Sequence, residues 1–173
     1  MSAVKFVKIL LATLALATVV PVAAQPVAGR IQFVSGEVLI TARTHAPRLA
    51  RKADIVLEGD TLVTDASASA QLLMADGSLI SLRPDTRLRI EKYHYAGPGK
   101  GAGRSVLELL YGGFRTITGL IAREQPNDYK IRTQTAIIGV RGTDHESFYI
   151  PPDRAGSKLL GPPGNAATPD GSQ

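Results

Sequence analysis

Short apolar runs, each ended by glycine, aspartate, asparagine or proline, fill the chain from Ile31 to Ile150. The turn residues recur roughly every 8–12 residues, the spacing typical of sandwiches and barrels. No run has the length and the caps of a sustained helix. The pattern therefore predicts an all-β fold, either an antiparallel β-sandwich or a rolled sheet of about ten short strands.

Alternation within the runs indicates which strand faces are buried. Leu88 and Ile90 fall on one face of a strand, and Arg87 and Arg89 fall on the other. The run Thr135–Val140 (TAIIGV) has no charge at either parity. It therefore predicts a central strand that is buried on both faces.

Glycine-containing pairs mark the expected turns between strands. Asp76-Gly77 stands between two apolar runs and predicts a type I′ hairpin. Gly59-Asp60 predicts a second tight turn, and Gly112-Gly113 predicts a third.

Residues 1–24 have the layout of a secretory signal peptide. Lys5 and Lys8 precede the apolar run Ile9–Val20, and small residues end at Ala24. The run is shorter than the roughly 20 residues that span a bilayer, so we expect cleavage after Ala24 and a periplasmic protein without a stable membrane span. An uncleaved membrane anchor is the alternative. Residues 25–150 then form the all-β domain, and residues 151–173 form an irregular tail rich in Pro and Gly.

Composition excludes several classes of function. The chain of 173 residues has no cysteine, which excludes disulfides, thiolate zinc sites and thiol catalysis. Its net charge is +5, and removal of Lys5 and Lys8 with the leader leaves +3. Nucleic-acid binding needs a denser basic face, so we expect no nucleic-acid partner.

The polar residues show no recognisable catalytic or metal-binding spacing. His45, His94 and His145 are isolated, and Asp144 beside His145 would point to the opposite face of a strand. The glycine-rich segment Gly97–Ser105 lacks the Lys-Ser/Thr pair of a phosphate-binding loop. We therefore expect no catalytic residue, cofactor or metal, and no enzyme. Turn roles are expected for the aspartates.

Two sets of residues are candidates for recognition. Tyr93 and Tyr95 share the parity of Arg89, which puts them on the wetter strand face as an interaction patch; core packing is the plainer alternative. Arg141 follows an apolar run between two glycines. We expect it to act as an internal clamp on an acid such as Asp60, with partner recognition as the alternative.

A series of short motifs occurs along the chain in a fixed order. The motifs are Ser35-Gly36-Glu37-Val38, Gly59-Asp60-Thr61-Leu62-Val63-Thr64, Asp76-Gly77-Ser78, Leu82-Arg83-Pro84-Asp85-Thr86, Leu109-Leu110-Tyr111-Gly112-Gly113-Phe114-Arg115, Ile131-Arg132-Thr133-Gln134-Thr135-Ala136 and Gly139-Val140-Arg141-Gly142-Thr143. In order and spacing this set resembles the FecR domain over about Ile31–Tyr149.

The resemblance implies a periplasmic all-β domain that binds proteins and has no catalytic activity. In such regulators the domain receives a signal from an outer-membrane transporter and passes it to a sigma factor. This chain shows no N-terminal cytoplasmic segment of the kind that holds a sigma factor, so direct sigma-factor control is not expected.

Three hypotheses of function follow from the sequence. The first is an exported domain that docks a periplasmic or envelope protein. The second is a small envelope hydrolase or polysaccharide-acting protein with converging acids such as Asp60 and Asp144. The third is a structural protein that self-associates through sheet edges, for which a strand near residues 143–150 is the candidate edge.

Overall fold

The computed structural model describes residues 26–42, 45–100, 103–140 and 144–159. The predicted signal peptide, the cluster Arg141, Gly142 and Thr143, and the chain after Leu159 lie outside the described residues.

Twelve strands and two short helices make up the described chain, which confirms the all-β prediction. The strands are β1 (Val27–Ser35), β2 (Val38–Thr41), β3 (Arg48–Leu49), β4 (Ile55–Leu57), β5 (Thr61–Thr64), β6 (Ser69–Met74), β7 (Leu79–Leu82), β8 (Thr86–His94), β9 (Arg104–Ile117), β10 (Tyr129–Arg132), β11 (Ile137–Gly139) and β12 (Asp144–Tyr149). Helix α1 is Leu120–Glu124 and helix α2 is Pro152–Leu159, with a 3-10 turn at Pro126–Asp128.

Strand β9 organises the sheet because its two halves pair with different neighbours. Its first half lies between β8 and β10, and its second half lies between β7 and β12. We call β3-β2-β5-β8-β9-β10-β11 the β8 wing and β4-β1-β6-β7-β9-β12 the β7 wing. The described pairings are antiparallel except that of β9 with β10. One curled sheet, shaped like half a barrel, results, which is the rolled sheet of the two predicted alternatives.

The core lies on the inner faces of the two wings. Its largest fully buried side chains come from both wings, and they are Tyr93, Tyr129, Phe114, Ile31, Ile40, Leu62, Leu72, Ile80, Leu88, Ile90, Leu107 and Leu109. The predicted inward face of β8 is confirmed, because Leu88 and Ile90 are both fully buried.

Asp76, in the loop between β6 and β7, ties the two wings together. It is 3% exposed, and its Oδ1 accepts hydrogen bonds from the Tyr93 hydroxyl (3.1 Å) and the Ser78 N–H (3.1 Å). Its Oδ2 accepts from the Ser78 hydroxyl (2.8 Å) and the Ile121 N–H (3.3 Å). Burial, together with the nearby Asp76 carboxylate, raises the pKa of Tyr93. The phenol therefore stays protonated and can donate to this carboxylate.

The predicted hairpin at Asp76-Gly77 is present, but its turn type differs. Gly77 has φ +83°, whereas Asp76 does not have a positive φ. The Gly77 N–H donates to the Met74 carbonyl (3.1 Å), and the Met74 N–H donates to the Ser78 carbonyl (2.9 Å). This is a type I turn followed by a glycine bulge, so the prediction of a type I′ turn is wrong.

The sequence predicts a turn between strands at Gly112-Gly113. This prediction is wrong, because β9 runs through both residues. Gly112 has φ +89°. A Cβ atom there would overlap the Asp85 carbonyl and the Thr86 hydroxyl. The glycine therefore lets one long strand pass close to its neighbour at the boundary between the wings.

The apolar run Thr135–Val140 is not a central strand. Its residues Ile137–Gly139 form β11, which pairs with β10 at the outer end of the β8 wing. Ile137 is 64% exposed and Ile138 is 42% exposed. Periodicity indicates an uncharged strand, but it carries no information about whether a further strand lies beside it.

Within the predicted irregular tail, residues 152–159 form α2, so the prediction of irregular structure is wrong there. Pro152 is the first residue of this helix, where a backbone N–H would have no partner within the helix, so the missing N–H of proline costs nothing. Asp153 follows it, and a negative charge is favourable at the N-terminus of a helix. The remainder of the predicted tail, from residue 160, lies outside the described residues.

Candidate functional site

A cleft of about 550 Å³ lies where β9 passes from one wing to the other. Three segments line it: Arg83–Asp85 before β8, Tyr111–Gly113 within β9, and Phe148–Pro151 at the end of β12. Arg154 of α2 completes the lining. We call this the seam cleft.

Two buried threonines hold the floor of the seam cleft. The Thr64 hydroxyl donates to the Arg83 carbonyl (2.7 Å) and accepts the Thr86 N–H (2.9 Å). The Thr86 hydroxyl donates to the Gly113 carbonyl and accepts the Gly113 N–H, both at 3.0 Å. These two hydroxyls form hydrogen bonds with backbone groups that have no partner in the hydrogen-bond ladders between strands. The cleft is therefore preformed by the fold.

Two arginines stack on aromatic rings at the walls. The Arg83 guanidinium lies 5.1 Å from the centroid of the Phe148 ring, and its Nη2 donates to the Glu146 Oε1 (2.7 Å). The Arg154 guanidinium lies 3.7 Å from the centroid of the Tyr111 ring, and its Nη1 donates to the Asp85 Oδ1 at 3.3 Å. Each arginine is thus oriented both by a ring and by a carboxylate.

The seam cleft exposes apolar surface between these charged groups. Phe148 is 61% exposed and Ile150 is 53% exposed, and Phe148 lies against the backbone of Gly113, where a Cβ atom would overlap its ring. Aromatic residues and arginine are enriched at protein interfaces, where a few such side chains supply most of the binding energy. The arrangement suits contact with another protein.

His145 lies on the inner side of β12. Ser147, two residues later, directly precedes the segment that lines the cleft. Its ring contacts the edges of Phe114 and Tyr129 at centroid distances of 6.4 and 5.9 Å. Neither ring nitrogen has a hydrogen-bond partner among the described residues. Burial lowers the pKa of His145, although Asp144 opposes the shift.

The two carboxylates of the hydrolase hypothesis lie apart in the fold. Asp60 is fully buried in the turn just before β5, where its Oδ2 accepts the Leu57 N–H (3.0 Å) and its Oδ1 lies 3.4 Å from the His45 Nε2. Asp144 is in β12 of the other wing, where its hydrogen bonds with Arg115 lower its pKa. Neither lines the seam cleft. Among the described residues, no cluster of three histidines or acids could hold a metal ion.

The predicted motif residues fall into two groups. Gly59, with φ +91°, and Asp60 form the turn before β5, and Asp76 and Gly77 form the hairpin turn described above. Gly139 ends β11 and is exposed, and Val140 packs partly against the core. The proposed clamp by Arg141 lies outside the described residues.

Tyr93 and Tyr95 do not form an exposed pair. Tyr93 is 1% exposed and faces the core, while Tyr95 is half-buried against it. The register of β8 against β9 shifts between Ile90 and Lys92. This bulge reverses the parity that the sequence predicts, so the placement of Tyr93 on the wet face is wrong.

The residues of the seam cleft are missed as a site by sequence reasoning. Arg83, Asp85 and Tyr111 stand in motifs that carry the family resemblance, but nothing in their spacing shows that the segments meet. Paired glycines inside a strand pattern are the available signal, since they often mark a close backbone approach.

The fold defines the class of the protein as an all-β domain built on one curled sheet. The chain belongs to the FecR family: the family model described as "FecR protein" matches residues 60–155, more than half of the chain. FecR is a regulatory, non-enzymatic family. The resemblance seen in the sequence is confirmed.

A solved chain described as "Cell surface anchoring domain" is 22% identical over 36% of this chain and 82% of its own length, with a TM-score of 0.34. No curated protein matches the chain. Within the described residues, no helix has both the length and the apolar character to cross a membrane.

Proposed function

We propose that the chain is an exported, non-catalytic domain of the periplasm that binds another cell-envelope protein through the seam cleft. The family match includes the residues that line the cleft from Arg83 to Arg154. The observation that carries the proposal is the exposure of Phe148 and Ile150 in the same cleft as two arginines that lie over aromatic rings.

The chemistry of the cleft favours a protein segment with an apolar side chain as the ligand. Exposed apolar surface rimmed by polar groups is typical of protein-binding sites. Arg83 and Arg154 already have carboxylate partners, so an anionic ligand would have to compete with Glu146 and Asp85. An apolar side chain that packs on the exposed Phe148 and Ile150 would leave both ion pairs in place.

Affinity capture from cell envelope tests the proposal. The bait is the chain from Gln25 to Gln173 with a C-terminal tag, which contains every described element, and mass spectrometry identifies what remains after a salt wash. We expect an envelope protein to be recovered with the wild-type bait and lost with Phe148→Ala, because truncating a central anchor typically costs more than about 2 kcal/mol of binding.

Phe33→Ala is the matched control. Phe33 is 54% exposed on β1, away from the cleft, so its truncation removes a comparable apolar surface. Recovery of the same protein by the Phe33→Ala and Phe148→Ala baits alike would contradict the proposal, as would the absence of any specific protein with the wild-type bait.

A further inference from the structure

Within the part of the chain that the structure describes, strand β11 presents an open and uncharged edge at the end of the β8 wing. Among the described strands it pairs only with β10, and Ile137 and Ile138 are both exposed. The sequence from Thr133 to Val140 contains no charged residue and no proline. Natural sheet edges are usually protected by charge, proline or a covering segment. This one has neither charge nor proline.

The hairpin between β10 and β11 fixes which backbone groups face the open edge. The Thr133 N–H donates to the Ala136 carbonyl (2.9 Å), so these two residues form a hydrogen-bonded pair. Hydrogen-bonded and non-hydrogen-bonded pairs alternate along an antiparallel ladder. Ile138, opposite Ile131, therefore directs its N–H and C=O to β10. The backbone groups of Ile137 and Gly139 point to the open edge.

We infer that β11 pairs with β11 of a second copy of this chain, antiparallel and about a two-fold axis at Ile138. In this register Ile137 of each copy faces Gly139 of the other, and both pairs exchange two backbone hydrogen bonds. The large side chain of Ile137 meets a residue without one, so the pairing is free of steric conflict. A Cβ built at Gly139 meets nothing within 4 Å.

The inner face of the sheet would also continue across the axis. Ile138 lies directly opposite Ile131, which is fully buried, and directly opposed residues share a face. Ile138, 42% exposed in the single chain, would contact Ile138 of the second copy. The pairing thus removes apolar surface from water on the same side as the core.

Charge distinguishes β11 from the β12 and β4 edges as a site for a second copy. The β12 edge carries Asp144 and Glu146, which would face each other across an axis at His145. The β4 edge is flanked by Asp54 and Glu58, which would face each other across an axis at Val56. Like charges directly opposite destabilise a strand pair. The corresponding register at β11 places no like charges opposite each other.

Sedimentation velocity over about 1 µM to 1 mM tests the inference, since pairing of one short strand predicts a weak, concentration-dependent dimer. The samples are the chain from Gln25 to Gln173, Ile138→Lys, Ile138→Glu and an equimolar mixture of the two variants. We expect the wild type to form dimers, each variant alone to remain monomeric, and the mixture to form dimers again. Ile138→Lys facing Ile138→Glu across the axis restores complementary charge.

Ile55→Lys is the matched control, because Ile55 is 53% exposed on the β4 edge. It should dimerise like the wild type. A monomeric wild type at all concentrations, dimers formed by either Ile138 variant alone, or a monomeric mixture would each overturn the inference. Restoration in the mixture also shows that both variants are folded. Because Phe148 lies at the seam cleft and Ile138 at the sheet edge, failure of this test leaves the proposed function standing.

Discussion

At the scale of single residues, the seam cleft requires glycine, which has no side chain, as much as it requires the side chains that line it. Gly112 takes φ +89° and lies against the backbone of Asp85 and Thr86. Gly77 has a similar φ of +83°, yet a Cβ atom there meets nothing within 4 Å. Substitution at Gly77 therefore tests the cost of backbone strain alone, whereas substitution at Gly112 tests backbone strain together with steric overlap.

We expect Gly77→Ala to lower the free energy of unfolding by about 1–2 kcal/mol, the cost of the left-handed conformation. Gly112→Ala should cost about 1–3 kcal/mol more, because it also overpacks the seam. Urea unfolding measures both. Equal losses for the two variants would show that the sheet yields at Gly112 without cost.

Several residue-level features could be predicted from the sequence, and others could not. The turn at Gly59 and the turn role of Asp76 follow from local chemistry, since glycine permits positive φ and aspartate accepts nearby N–H groups. The bond from Tyr93 to Asp76 spans 17 positions and depends on a bulge that no parity rule contains. Local patterns therefore identify the turns but miss the tie between the wings.

At the scale of elements, apolar pattern predicts strands better than it predicts their neighbours. The alternation in β8 correctly predicts which residues are buried as far as Ile90. After the bulge it predicts the wrong face for Tyr93. The uncharged run around β11 is a strand as predicted, but at an edge. The seam cleft needs three segments that the sequence separates widely, so its residues could be recognised only as motifs.

Strand β12 offers a prediction at this scale, because His145 holds its inner side against Phe114 and Tyr129. Burial lowers the pKa of His145 in the folded protein, whereas in the unfolded chain it is about 6.5. Below that pH the unfolded state binds a proton that the folded state does not. The stability is therefore complete above about pH 7 and declines as the pH falls toward 5, with a slope of at most about 1.4 kcal/mol per pH unit.

Urea unfolding of the wild type and of His145→Leu at several pH values between 5 and 8 measures this effect. Leucine packs without nitrogen atoms and does not titrate, so the difference between the two proteins should change only below about pH 7. Asp144 is the neighbouring titrating group, and its pKa is lowered by Arg115. It is present in both proteins, and its protonation falls at lower pH. A constant difference across the range would contradict the prediction.

At the scale of the whole molecule, the two wings share one strand and one core. Strand β9 contributes Leu107 and Leu109 to the β8 wing and Phe114 to the β7 wing, and all three are fully buried. Asp76 adds a hydrogen-bonded tie from the β6–β7 loop to Tyr93 of β8. If one wing unfolded, the other would lose the pairing of β9 and the cover over its inner face.

The shared strand predicts that the chain unfolds in one cooperative transition despite its two wings. Leu62 of β5 and Leu72 of β6 are fully buried in different wings, and replacing either with alanine should cost about 2–5 kcal/mol. Because both substitutions weaken one common unit, far-UV circular dichroism and the near-UV tyrosine signal should shift together in each variant. Lys52→Gln, on an exposed turn, should shift neither signal. Two separate transitions in the Leu62→Ala protein would show instead that the β7 wing folds alone and that β9 links two independent units.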